Sequence, residues 1–130
     1  MAELVFTVHS LLRYLVLLAV LAAIVVAAIH WARTGPDSAR PQRIAMAAFV
    51  GLLDVQVLLG LVLLALWPYY PALIGHIFMM VLAAIVAHVG SIMARRREPG
   101  RSGAPLRVAT AVLALVLMVG GIMAIQRPII

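Results

Sequence analysis

The chain has no cysteine, no lysine and only four acidic residues, Glu3, Asp37, Asp54 and Glu98, in 130 positions. Without cysteine there are no disulfides, thiolate metal sites or thioether-linked haem, so any metal must rely on His, Met or carboxylate. Charged residues make up 11% of the chain against 66% hydrophobic. That is too few polar side chains to cover a water-facing globule, which excludes a soluble domain. Soluble-enzyme signatures are missing as well: there is no glycine-rich phosphate loop, no Gly-x-Ser-x-Gly elbow and no paired carboxylates.

What is abundant is apolar length. Mean hydropathy is +1.18, and the apolar residues fall into four runs, each long enough to cross hydrocarbon about 30 Å thick. The runs predict spans at about residues 5–31, 44–67, 72–94 and 106–125. Gly35-Pro36 breaks the first from the second, and the Tyr69-Tyr70-Pro71 aromatic turn breaks the second from the third. Connections this short favour antiparallel neighbours. The predicted fold is an all-α membrane protein, a four-transmembrane up-down helix bundle forming a single domain over residues 1–130.

All ten basic residues are arginines, and the formal charge is +6. In a soluble chain such a balance would point to nucleic acid, but here topology explains it and no nucleic-acid partner is expected. Arg33, Arg40 and Arg43 lie between spans one and two, and Arg95, Arg96, Arg97, Arg101 and Arg107 between spans three and four. The Tyr-Tyr turn has none. Cytoplasmic loops retain basic residues, so both termini are predicted to face outside, with Arg127 a lone exception. Residues 95–105 read as a flexible cytoplasmic loop with affinity for anionic lipid headgroups. No small-residue cleavage site follows the first run, which is therefore expected to stay in the mature protein.

Ionisable groups inside a span cost roughly 2.5–3.5 kcal/mol for Arg or Asp on insertion scales, so those present call for a partner or a purpose. They are His9, Arg13, Asp54, His76 and His88, with Gln56 beside them and His30 at the inner margin. At about 1.5 Å rise per residue, His9 near the outer start of span one and His76 near the outer start of span three reach similar depth. Two imidazoles at one depth on inward-facing helices form the pattern that holds haem iron from both sides. Met80 follows His76 by four residues and shares its face, an alternative ligand, while Met79 points elsewhere. Arg13 follows His9 by four and can neutralise a haem propionate, or else snorkel to the headgroups.

Gln56 and Gly60 share one face of span two, and Gly120 and Gly121 come at a similar depth on span four. Glycines there admit a flat cofactor, or simply let helices pack closely. His88 lies about 18 Å below His76, near the level of Gln56, so those two form a candidate second polar site. Asp54 is about 200° around the helix from Gln56 and must face a neighbour, for instance His88 or a partner subunit. A lone membrane histidine is also a common interhelical hydrogen-bond partner. His30, beside Trp31, reads as an interfacial anchor.

The segments His9-Ser10-Leu11-Leu12-Arg13-Tyr14, Leu53-Asp54-Val55-Gln56-Val57-Leu58-Leu59-Gly60, His76 with Met80, and Ala87-His88-Val89-Gly90 resemble a group of small bacterial four-helix membrane proteins described as cytochrome b-like. The likeness covers the first three spans; span four carries no matching motif. Related groups often have an aromatic in the tail where this chain has Gln126-Arg127-Pro128-Ile129-Ile130. The resemblance implies haem b and a multi-pass place in the bacterial inner membrane, and leaves the reaction open.

Residues and resemblance together predict a haem b protein with His9 and His76 as iron ligands. Arg13, Gln56, Gly60, Met80, His88 and Gly120 are the candidate residues around the cofactor. Electron exchange with membrane quinone is the expected task, possible as catalysis, with Gln56, His88 and Asp54 as candidates for its proton side. Two other readings stay open. One is a non-redox accessory or assembly subunit of a larger respiratory complex, or a homo-oligomer, using Asp54 and the glycines as contact surface. The other is a small copper-handling or transport protein using His9, His76, Met79 and Met80, because imidazole with thioether suits Cu(I).

Overall fold

In hydrocarbon no water is present to satisfy backbone N–H and C=O groups, so each apolar run closes its hydrogen bonds within one continuous helix. A computed structural model of the chain describes residues 2–31, 39–66, 72–98 and 103–124. It contains α1 (Ala2–Trp31), α2 (Ala39–Leu66), α3 (Ala72–Arg97) and α4 (Ala104–Ala124). All four are long and apolar enough to cross a membrane, which marks a multi-pass membrane protein. The predicted breaks at Gly35-Pro36 and Tyr69-Tyr70-Pro71, together with Arg33, Arg101 and residues 126–130, lie outside the described residues.

The helices form a four-helix bundle. α1 packs on α2 and α4, α3 packs on α4 and more lightly on α2, and α1 faces α3 across the middle without packing on it. The core is built from Val16, Val20, Met46, Phe49, Leu53 and Met118 with a set of alanines. Ala83, Ala87, Ala111 and Ala114 are buried in that core, and small side chains like these let helix backbones close in where lipid supplies no hydrophobic drive between helices. Large apolar side chains such as Leu18, Leu58 and Phe78 point outward, the surface that lipid would cover.

Three helices begin earlier than the hydropathy predicts, α1 among them at Ala2. α2 starts at Ala39 and α4 at Ala104, since Pro41 and Pro105 both fall in a first helical turn, where a missing N–H costs nothing. Residues 95–105 are not a flexible loop over the part that is described. Arg95, Arg96 and Arg97 complete α3, and Glu98 closes a turn back to the Arg95 carbonyl at 3.2 Å. Gly103 sits so close to α3 that an added Cβ would lie 2.7 Å from the Ala94 carbonyl oxygen. The reason is electrostatic: Glu98, among the surrounding arginines, is drawn inward rather than into water.

Candidate functional site

His9 lies two turns into α1, with its ring against the bare backbone of Gly60. A Cβ at position 60 would stand 3.3 Å from His9 Cε1. One turn along α2, buried Gln56 donates from Nε2 to the His9 carbonyl oxygen at 2.8 Å, which fixes the helix segment that carries the ring. Its other amide atom, Oε1, is buried with no partner, and so is His9 Nδ1. Buried polar atoms without partners are rare because each loses hydration for nothing, so a pair of them marks a place built for something more.

His76 comes from the first turns of α3. Its Nδ1 lies 2.8 Å from the Gly121 carbonyl oxygen of α4. A carbonyl only accepts, so Nδ1 must carry the hydrogen, and a neutral ring then keeps its lone pair on Nε2. This is the state a metal-ligating histidine needs, with the second nitrogen oriented by a backbone acceptor. Gly121 makes the contact possible: a Cβ there would lie 3.1 Å from Met79 Cβ and 3.3 Å from Met80 Sδ.

His9, Arg13, Gln56, His76, Met80 and Met118 line one cavity of about 60 Å³ inside the bundle. Arg13 donates from Nη2 to the Tyr14 hydroxyl at 2.9 Å and stacks its guanidinium 4.9 Å from that ring, while its Nε is buried without a partner. Three orphaned polar atoms thus belong to side chains of one cavity: an N–H donor on Arg13, an acceptor on Gln56 and a ring nitrogen on His9. The cavity takes a metal ion or a few waters, each needing at least about 10–15 Å³. It is well short of the roughly 300–1,000 Å³ usual for organic ligands. The donor set, with the Gly60 backbone beneath the His9 ring, is one that could hold an iron or copper ion, and seating a macrocycle there would require α1 and α3 to part.

The other predicted residues lie elsewhere. His88 does not join Gln56 in a second polar site: its Nε2 meets Asp54 at 2.8 and 2.9 Å, and both side chains are half exposed on the outer face of α2 and α3. Gln56 points the other way, toward His9, as its angular offset from Asp54 requires. Gly120 is not part of the cavity lining; a Cβ there would meet Met79 Cε at 3.4 Å. His30 bonds the Val26 carbonyl one turn back, at 2.8 Å. Among the described residues, no three His, Asp or Glu side chains gather as a metal-holding group.

A second polar centre lies at the arginine-rich end. Arg107, 1% exposed, forks onto Glu98 with Nη1 to Oε2 at 2.8 Å and Nη2 to Oε1 at 2.7 Å. Nη1 also donates to Gln42 Oε1 at 3.0 Å, and Arg43 Nε reaches Glu98 Oε1 at 3.0 Å. Hydrogen bonds from Arg107 hold the Glu98 carboxyl below its ordinary pKa, against the opposing effect of burial and with help from Arg43. Sequence reasoning assigned Arg43 and Arg107 to loop charge alone. The available signal was Glu98, an acid alone in a basic stretch.

No protein-family model, curated protein or solved structure matches this chain.

Proposed function

We propose that this is a haem b-binding membrane protein of the cytochrome b-like kind, transferring electrons to or from membrane quinone in the bacterial inner membrane. The observation that carries the reading is the pairing of His9 and His76 on helices that face each other across the bundle. Both line one cavity, with His76 Nε2 left as the lone-pair nitrogen. His9 and His76 would hold the iron, and the group would supply one-electron exchange when bound. Gly121 orients the His76 ring, Gln56 anchors the α1 turn that carries His9, and Gly60 leaves the His9 ring its seat. Arg13 would supply a half-buried cation for a propionate, which its buried, unpartnered Nε supports.

The bundle is read as up-down with both termini outside. The start of α1 meets the end of α2 at His9 and Gly60, the start of α2 meets the end of α3 at Arg43 and Glu98, and the start of α3 meets the end of α4 at His76 and Gly121. Arginines at the other end supply the cytoplasmic side. An absorption spectrum, oxidised and then dithionite-reduced, of protein expressed with added haem tests the function. We expect split α and β bands that vanish in His9→Ala and in His76→Ala; a purified chain with no Soret band overturns the reading. The cavity's 60 Å³ favours one second reading, a copper ion held by His9, His76 and Met80. Stoichiometric copper in a haem-free preparation would support it.

A further inference from the structure

The first two turns of α2 carry an open hollow lined by Arg40, Pro41, Ile44 and Ala45. Arg40 is exposed and has no hydrogen bond or ion pair among the described residues, whereas Arg43 and Arg107 are engaged by Glu98. The Arg43–Glu98 contact brings the last turn of α3 alongside, with Arg95, Arg96 and Arg97 all exposed. Glu98 is the one acid at this end among the described residues, and only 5% of its side chain is open. The exposed surface there is thus cationic without a counter-charge. Below Arg40 it turns apolar. Ile44, Ala47 and Ala48 follow Arg40 by four, seven and eight residues, share its side of the helix and are exposed. At 1.5 Å per residue the strip reaches roughly 12 Å below Arg40.

We propose that this hollow seats one anionic phospholipid, its phosphate on the Arg40 guanidinium and an acyl chain along Ile44, Ala47 and Ala48. Charge complementarity selects the sign of the occupant, and a guanidinium pairs a phosphate through two parallel N–H bonds. The apolar strip selects a lipid among anions. A free phosphate or an acidic peptide would meet Arg40 and leave the strip unmatched, whereas a molecule charged at one end and apolar along the rest matches both. The location agrees, since the start of a helix long and apolar enough to cross a membrane lies at headgroup level. A defined seat differs from the diffuse attraction of a basic end for an anionic surface, because it depends on one arginine and on the shape beneath it. The proposal is independent of what fills the His9–His76 cavity.

The test uses the full-length chain, stripped of lipid in neutral detergent and titrated with phosphatidylglycerol or with phosphatidylcholine of the same acyl chains. Native mass spectrometry counts the lipids bound. We expect one phosphatidylglycerol to bind ahead of the rest and more tightly than phosphatidylcholine. Arg40→Gln should weaken that first lipid by roughly fivefold or more, the scale of one basic residue at an anionic surface. Arg97→Gln removes the same charge from the exposed end of α3 and should leave the first lipid in place. Ala48→Phe fills the strip without touching charge and should weaken the same lipid. Equal binding of the two phospholipids would overturn the proposal, as would an Arg97→Gln loss as large as that of Arg40→Gln, or an Ala48→Phe chain that binds as wild type does. Displacement of the lipid by soluble glycerol phosphate would overturn it in favour of a phosphate site, and displacement by a polyglutamate peptide in favour of a protein partner.

Discussion

A histidine ring seated on bare backbone tolerates no added carbon beneath it. At position 60 a single methyl would press the His9 ring at 3.3 Å, which the ring can relieve by a small shift; a branched side chain there cannot be relieved without turning the ring out of the cavity. On the proposed haem reading, Gly60→Val should therefore leave helix content unchanged and lower the haem retained per chain by roughly tenfold or more, the scale of lost supporting contacts at metal sites. On the same proposal, Gly51→Ala, on open surface, should take up haem to the wild-type level. The haem-to-protein absorbance ratio measures both, and equal ratios for Gly60→Val and wild type would remove the seat from the argument. Much of this residue-level picture was legible from spacing, because Arg13 and Met80 each follow a histidine by four. Gln56 was legible in part: sharing a face with Gly60 made it a candidate at the cofactor, while its depth also grouped it with His88, and only the rotation of α2 that packing sets separates the two.

Between elements, the α3–α4 seam has the least slack. A Cβ on Gly90 would stand 2.7 Å from Thr110 Cβ, closer than side-chain atoms come. Helix propensity alone favours alanine over glycine by about 1 kcal/mol, whereas overpacking a tight contact costs about 1–3 kcal/mol, so sterics should win. Gly90→Ala is expected to lower the melting midpoint of the purified bundle. Thr110→Ala in the same chain should restore much of the loss, and simple additivity of the two would show that the contact is not what matters. The four helices themselves were plain in the sequence, since long apolar runs have no other way to satisfy their backbones in lipid. The seam was not. Gly90 belonged to a recognisable motif, yet its counterpart Thr110 sits on a helix with none, and a close approach needs both surfaces to be known.

For the whole molecule, the arginine-rich end works as a fastener as well as a topological signal. Arg107 and Glu98 tie the start of α4 to the end of α3, and Gln42 and Arg43 bring in the start of α2. Counting arginines yields an expected orientation and hides the fastener, because nothing in a loop's composition says which of its charges folds inward. Glu98 is the hinge of the arrangement, with only 5% of its side chain exposed. Its carboxyl titrates below the ordinary value in the folded chain, primarily because Arg107 donates to it. A lowered folded-state pKa contributes stability that is present above the ordinary carboxylate range and is lost as pH falls through the lowered value. Glu98→Gln would strand the Arg107 guanidinium, and removing one member of a buried pair costs roughly 3–5 kcal/mol. The melting midpoint of wild type should thus fall as pH is lowered from 7 through the carboxylate range. The Glu98→Gln chain should already melt lower at pH 7 and fall less steeply. Asp54 and Glu3 are common to both chains, so the difference between the two curves isolates Glu98; curves that stay parallel across that range would mean its ionisation does not hold the three helix ends together.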